Sequence, residues 1–178
     1  MRTILLTVAF ALLTALPAVA DEPVDAVWKE QKVDFRIVGS QTAYSCDSIK
    51  AKITTLLRHV GAHDIEVTAP SCRGFNEPQW SHRILARFST LVSAGEGDVD
   101  VVKAVWSEVE LGKRSPRSID NRDCELLEYF QKYLLVEIEY EVIDGQAVCG
   151  AARRSIAGRL KLRVLEPVTE DDRAKKDG

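Results

Sequence analysis

Four cysteines, three histidines and two basic stretches are the side chains of this 178-residue chain whose types and spacing admit chemistry. Cys46, Cys72, Cys124 and Cys149 are an even set, which reads first as two disulfides formed in an oxidising compartment. Cys46 and Cys124 each open a helical pattern, where the helix dipole favours a thiolate, so a reactive cysteine is the competing reading. No C-x-x-C spacing supports it. His59 and His63 stand at i, i+4, a spacing that sets two imidazoles on one helical face for a metal. Gly61 lies between them and stops the helix, and no H-E-x-x-H motif or nearby carboxylate completes a ligand set. His82, beside Trp80 and Ser81, has the chemistry of a general base but no identifiable nucleophile. A G-x-S-x-G elbow, a phosphate-binding glycine loop and a dinucleotide fingerprint are all missing. The sequence therefore assigns no catalytic residue, no metal ligand and no cofactor.

The basic stretches are the better candidates for binding. Lys113, Arg114, Arg117 and Arg122 fall in one predicted loop, and Arg153 and Arg154 in another. Together they could form a positive patch for an anionic ligand such as a phosphate, a lipid head group or an acidic glycan. The plain alternative is a pair of solubilising loops. Glu137, Glu139 and Glu141 share one face of a predicted strand, and Arg159, Lys161 and Arg163 share a face of another. Paired about a loop near residue 150, they would form an acid–base ladder of 137 with 163, 139 with 161 and 141 with 159, which favours one register. Trp28, Trp80 and Trp106 are the large aromatics; with aromatics at only 7% of the chain, a broad sugar-stacking platform is not expected.

The elements that must position these residues follow from periodicity. Val33, Phe35 and Ile37 alternate with Asp34 and Arg36, a half-buried strand. From Cys46 the period becomes helical through Ile49, Ile53, Leu56, Leu57 and Val60, with Ser45 or Asp47 as cap and Gly61 as stop. Ile65, Val67 and Ala69 form a second strand, ended by Pro70 and followed by Cys72; Ile84, Ala86 and Phe88 form a third. The order then returns. Val99 to Leu111 is strand-like, and Cys124 opens a helix with Leu126, Leu127, Phe130 and Leu134, capped by Asp120, Asn121 or Asp123. Val136, Ile138, Tyr140 and Val142 alternate up to a turn at Asp144-Gly145, Cys149 follows, and Leu160, Leu162 and Val164 alternate in a last strand.

The expected fold is α+β, with two pseudo-repeated βαββ halves over residues 31–93 and 98–167 and a short linker between them. Cysteine separations within the halves are 26 and 25 residues. In the first half a helix of ~15 residues at ~1.5 Å and a returning strand of ~7 residues at ~3.3 Å have roughly matching lengths, and the repeat carries the same geometry to the second. The end of the strand therefore comes back to the start of the helix, which pairs Cys46 with Cys72 and Cys124 with Cys149. The tandem order resembles, in order alone, the vicinal oxygen chelate group, which pairs βαβββ modules around a metal. The fourth strand of each module and a His/Glu ligand set have no counterpart here, so the resemblance assigns no activity.

Residues 1–20 read as a secretory signal peptide: Arg2, an apolar run from Ile4 to Leu16, then Ala18-Val19-Ala20 before the acidic Asp21-Glu22. Residues 21–30 are a lead-in and 168–178 a charged, flexible tail. Without Arg2 the mature chain has 23 basic residues against 27 acidic ones, a balance of −4 that argues against nucleic acid as partner. No stretch after the leader approaches the ~20 apolar residues of a membrane span. The expectation is an exported bacterial cell-envelope protein, periplasmic or fully secreted, acting as a non-catalytic binding module. Its partner would be an envelope protein or a small anionic ligand. A small hydrolase or metal enzyme using His82 or His59 and His63, and a secreted inhibitor of another enzyme, are the alternatives.

Overall fold

In a computed structural model, the chain is described over residues 22–40, 42–72, 77–150 and 155–168. The elements are β1 (Val24–Val38), α1 (Cys46–His59), β2 (His63–Thr68), β3 (Ser81–Ser93), β4 (Val102–Gly112), α2 (Cys124–Tyr133), β5 (Tyr140–Gly145), β6 (Val148–Cys149), β7 (Ile156–Ala157) and β8 (Arg159–Pro167). Six strands form one sheet in the order β2-β3-β1-β4-β8-β5, and β6 and β7 form a separate small hairpin. Every pairing is antiparallel. The fold is α+β, and both expected disulfides, Cys46–Cys72 and Cys124–Cys149, are formed.

Alternation decides which face is buried. Phe35 pairs with Ile84 and Val33 with Ala86, and these side chains meet the apolar stripe of α1, including Ile49, Ile53 and Leu56. Leu160, Leu162 and Val164 of β8 enter the same core, with Phe130 of α2. On the opposite face a smaller cluster forms from Ala26, Leu91, Ala104 and Leu165. It sits where the halves join, at the three-residue pairing of Val24–Ala26 with Val102–Ala104.

Local chemistry sets the ends of α1. The Ser45 side chain accepts from the Ser48 N–H at its start. At its end Gly61 adopts φ +80°, the Gly61 N–H donates to Arg58 O and the Ala62 N–H to Leu57 O. This is a Schellman closure, in which the left-handed position favours glycine.

Three expectations need correction. The lead-in of residues 21–30 lies mostly in the sheet, because β1 already begins at Val24. The strand expected over Val136–Val142 is instead a 3-10 turn at Leu135–Glu137 followed by β5. Leu134, Leu135 and Ile138 are all buried there, and one tight turn inserts them together where an alternating strand would have exposed half of them. The acid–base ladder consequently takes another register. Glu141 faces Arg163, at 3.6 Å, and Asp144 faces Lys161, with a bulge between Val142 and Asp144. Glu139 leaves the sheet to accept from the Ser93 N–H at 2.7 Å, and Arg159 pairs with Glu110 of β4. For Glu141 the partner moves by four residues, from Arg159 to Arg163, an even shift that keeps both side chains on their face. The expected leader at residues 1–20 and residues 169–178 of the expected tail lie outside the described residues.

Candidate functional site

The end of β4 and the start of β8 lie side by side, Gly112 opposite Arg159. Between them the chain makes a tight loop. Gly112 and Ser115 exchange backbone hydrogen bonds, the Arg114 N–H donates to Ile119 O at 2.7 Å, and the fully buried Ile119 pins the loop to the core. Arg114 holds a positive φ of 64° within this loop. The Ser115 hydroxyl donates to Glu110 O at 2.6 Å and His59 Nε2 to the same oxygen at 2.9 Å, tying the loop to the end of α1.

The result is an open cleft of about 620 Å³ lined by Lys113, Arg114 and Arg159, with Glu110, Ser115 and Gly158. Arg159 is 3.3 Å from Glu110, so one of the three cations is partly neutralised and the cleft carries a net positive charge. Lys113 and Arg114 are both exposed, so their charged groups are open to an anion entering from solvent. Of the other expected anion-binding residues, Arg117 does not line the cleft. Arg122 is engaged locally with Asp120, Nη2 to Oδ2 at 3.3 Å. Arg153 and Arg154 lie outside the described residues. Arg159, read from sequence as a ladder residue, is the contributor that sequence reasoning missed.

The histidines do not converge. His59 is held by Glu110 O, while His63 makes an edge contact with the Trp28 ring at 4.9 Å. His82 is buried on the core face of β3, opposite Ile37, with Nε2 within 2.9 Å of Tyr44 O and 3.2 Å of Gln79 O. Its Nδ1 lies 3.8 Å from Cys72 Sγ. The tryptophans also have separate settings: Trp28 against His63, Trp106 under the Arg163 guanidinium and Trp80 exposed before β3.

A second polar centre, also missed, joins the loop before α1 to the start of α2. The Tyr44 hydroxyl donates to Asp123 Oδ1 at 3.1 Å, and Lys52 Nζ reaches Asp123 Oδ2 at 2.5 Å. The Ser40 N–H donates to Glu125 Oε2 at 2.8 Å, and the Ser40 hydroxyl bonds the other oxygen. Asp120 begins the turn before α2 through a capping box with Asp123. Burial opposes ionisation of Asp120, but the Arg122 N–H and guanidinium, with Lys52, outweigh it and hold the carboxyl below its usual range. The acid at the third capping position was the signal available in sequence; its burial was not.

All four cysteines are consumed in disulfides, and no helix of the described residues is long and apolar enough to cross a membrane. Comparison with protein-family models, with curated proteins and with solved structures finds no match.

Proposed function

We propose that this chain is an exported bacterial envelope protein, acting in the periplasm as a non-catalytic module that binds a small anionic ligand. The observation that carries the reading is the convergence of Lys113, Arg114 and Arg159 on one cleft beside the rigid β4–β8 pairing. Guanidinium and ammonium groups donate charge-assisted hydrogen bonds to phosphate or carboxylate, and an open cleft suits a ligand that must also leave. Two disulfides suit an oxidising compartment and stiffen the frame behind the loops. The leader-like segment at residues 1–20 supports export on the same footing.

The two halves are also proposed to be a pseudo-repeat. In each, the last strand lies between the first and the second, as β2-β3-β1 and as β5-β8-β4, and in each a disulfide ties the helix start to the segment after the second strand.

The test is a titration of the mature chain with inorganic phosphate, followed by amide chemical shifts. Residues around Lys113–Ser115 and Gly158–Arg159 are expected to respond together. Removing Lys113 or Arg114 as alanine should weaken binding roughly tenfold or more, the equivalent of one hydrogen bond to a charged group at ~1.5–3 kcal/mol. Absence of a response at these residues across phosphate, carboxylate and sulfate titrations overturns the anion reading. Amino-terminal sequencing from an envelope fraction tests export, with Asp21 as the expected first residue.

A further inference from the structure

We propose that Cys46, Cys72 and His82 form a soft-metal site in the dithiol state of the protein, and that this state and the Cys46–Cys72 disulfide exclude one another. The starting observation is the tautomer of His82. Its Nε2 faces two backbone carbonyl oxygens, Tyr44 O at 2.9 Å and Gln79 O at 3.2 Å, and carbonyls only accept. Nε2 therefore carries the proton. The other ring nitrogen, Nδ1, is the one left to act as a ligand, and the neighbour of that atom is Cys72 Sγ at 3.8 Å. A disulfide sulfur has no hydrogen to donate. His82 is only 1% exposed, so water does not serve Nδ1 freely either. The buried Nδ1 is thus aimed at the sulfur of Cys72, its one polar contact among the described residues, at 3.8 Å.

The same arrangement is that of a metal-binding histidine. Such histidines typically donate the distal N–H to a carbonyl or carboxylate, which fixes the ring and leaves the other nitrogen to the metal. The carbonyls here are themselves fixed, because Tyr44 and Gln79 exchange backbone hydrogen bonds of 3.0 and 2.8 Å. The ligand atoms of Cys46, Cys72 and His82 all lie within 4.8 Å of one another. A tetrahedral zinc with bonds of about 2.3 Å to sulfur and 2.0 Å to nitrogen has a sulfur–nitrogen edge of about 3.5 Å. The observed 3.8 Å is already close to that edge. Cys46 opens α1, where the helix N-terminus favours a thiolate.

Every chain begins with its cysteines as thiols, so the metal-binding state exists before oxidation. From the disulfide it is reached by a dithiol reductant. The S–S bond breaks, both sulfurs gain an electron and a proton, and the reductant becomes a disulfide. A divalent d-block cation such as zinc then displaces the two thiol protons to solvent, and the fourth coordination position is left for water or a ligand.

The test uses the full mature chain reduced without oxygen by a trialkylphosphine, which is converted to its oxide and leaves no competing thiol. Titration with cobalt(II) is expected to give thiolate charge-transfer absorption and tetrahedral d–d bands, lost on adding zinc and absent from the oxidised protein. His82→Gln should weaken cobalt binding by more than the roughly 10–100-fold that loss of an outer-shell partner costs. Glu128→Gln, beside the other disulfide, should leave it unchanged. If the bands follow Glu128, or His82→Gln binds as tightly as the parent, the assignment is wrong. Should His82→Gln fail to fold, X-ray absorption of the reduced zinc-loaded parent decides: two sulfurs and an imidazole support the site, and a shell of oxygen and nitrogen alone overturns it.

Discussion

Tyr44 shows how much one side chain can hold at the join between distant segments. Its ring is buried, and its hydroxyl reaches Asp123 from 79 positions away in the chain. Burial is the largest influence on the phenol, followed by the charge of Asp123 and the hydrogen bond to it, then by Glu125 and Asp120; together they push its ionisation far above the usual tyrosine range. Lys52 is the cation on the same carboxylate. An unfolded tyrosine ionises near pH ~10. Below that pH both states keep the proton and the full stability is present. Above it the unfolded chain releases a proton that the folded chain retains, so stability falls by about 1.4 kcal/mol per pH unit. Tyr44→Phe should therefore show a shallower alkaline loss than the parent. At neutral pH it should cost ~1.5–3 kcal/mol for the bond to a charged acceptor. Urea unfolding on both sides of the tyrosine range measures this, and parallel alkaline slopes would show that the phenol is not the titrating group.

At the scale of elements, the two disulfides act alike, each tying the first residue of a helix to the segment beyond the following strand. Their separations of 26 and 25 residues give nearly equal loop-closure terms. Replacing either pair by alanines should lower stability by ~3.5 kcal/mol on the chain-entropy account. A markedly unequal loss between the two pairs in urea unfolding would mean that packing, not loop closure, dominates one of them. The Cys46–Cys72 pairing was legible because α1 and the returning β2 have matched lengths, and the Cys124–Cys149 pairing because its spacing of 25 residues follows the first. So were the strands around Phe35, Phe88 and Leu162, whose alternation is clean. The first half of β1 was not, since Lys29 and Glu30 are both exposed and hide the period. Near Ile138 a short apolar run fits period two as well as a tight turn, and only the packing of Leu134 and Leu135 decides. The cleft was legible in Lys113 and Arg114 alone. Arg159 joins them through the β4–β8 register, which sets it opposite Gly112 from 47 residues away, and the burial of Asp123 and Glu125 depends on docking segments some 80 residues away; neither is a local property.

For the molecule as a whole, the two halves touch through little backbone pairing but much side-chain packing. Among the described residues, only the strand segments Val24–Ala26 and Val102–Ala104 pair across the join. Yet one core contains Phe35 and Ile84 from the first half and Leu111, Phe130 and Leu162 from the second. Ser40, Tyr44 and Lys52 add a polar bridge to Glu125 and Asp123. Separating the halves would open that core and break the Lys52–Asp123 ion pair, whose carboxylate is only 2% exposed. The chain should therefore unfold as one cooperative unit with its disulfides intact. Trp28 and Trp80 report on the first half and Trp106 on the second. A variant retaining only Trp106 and one retaining only Trp28 and Trp80 should give coincident urea midpoints. Ala26→Asp, placing an unpaired charge at the fully buried join, should lower both midpoints together. Two separated transitions, or a shift confined to one probe, would show that each half carries its own stability and that the shared core is not what holds them.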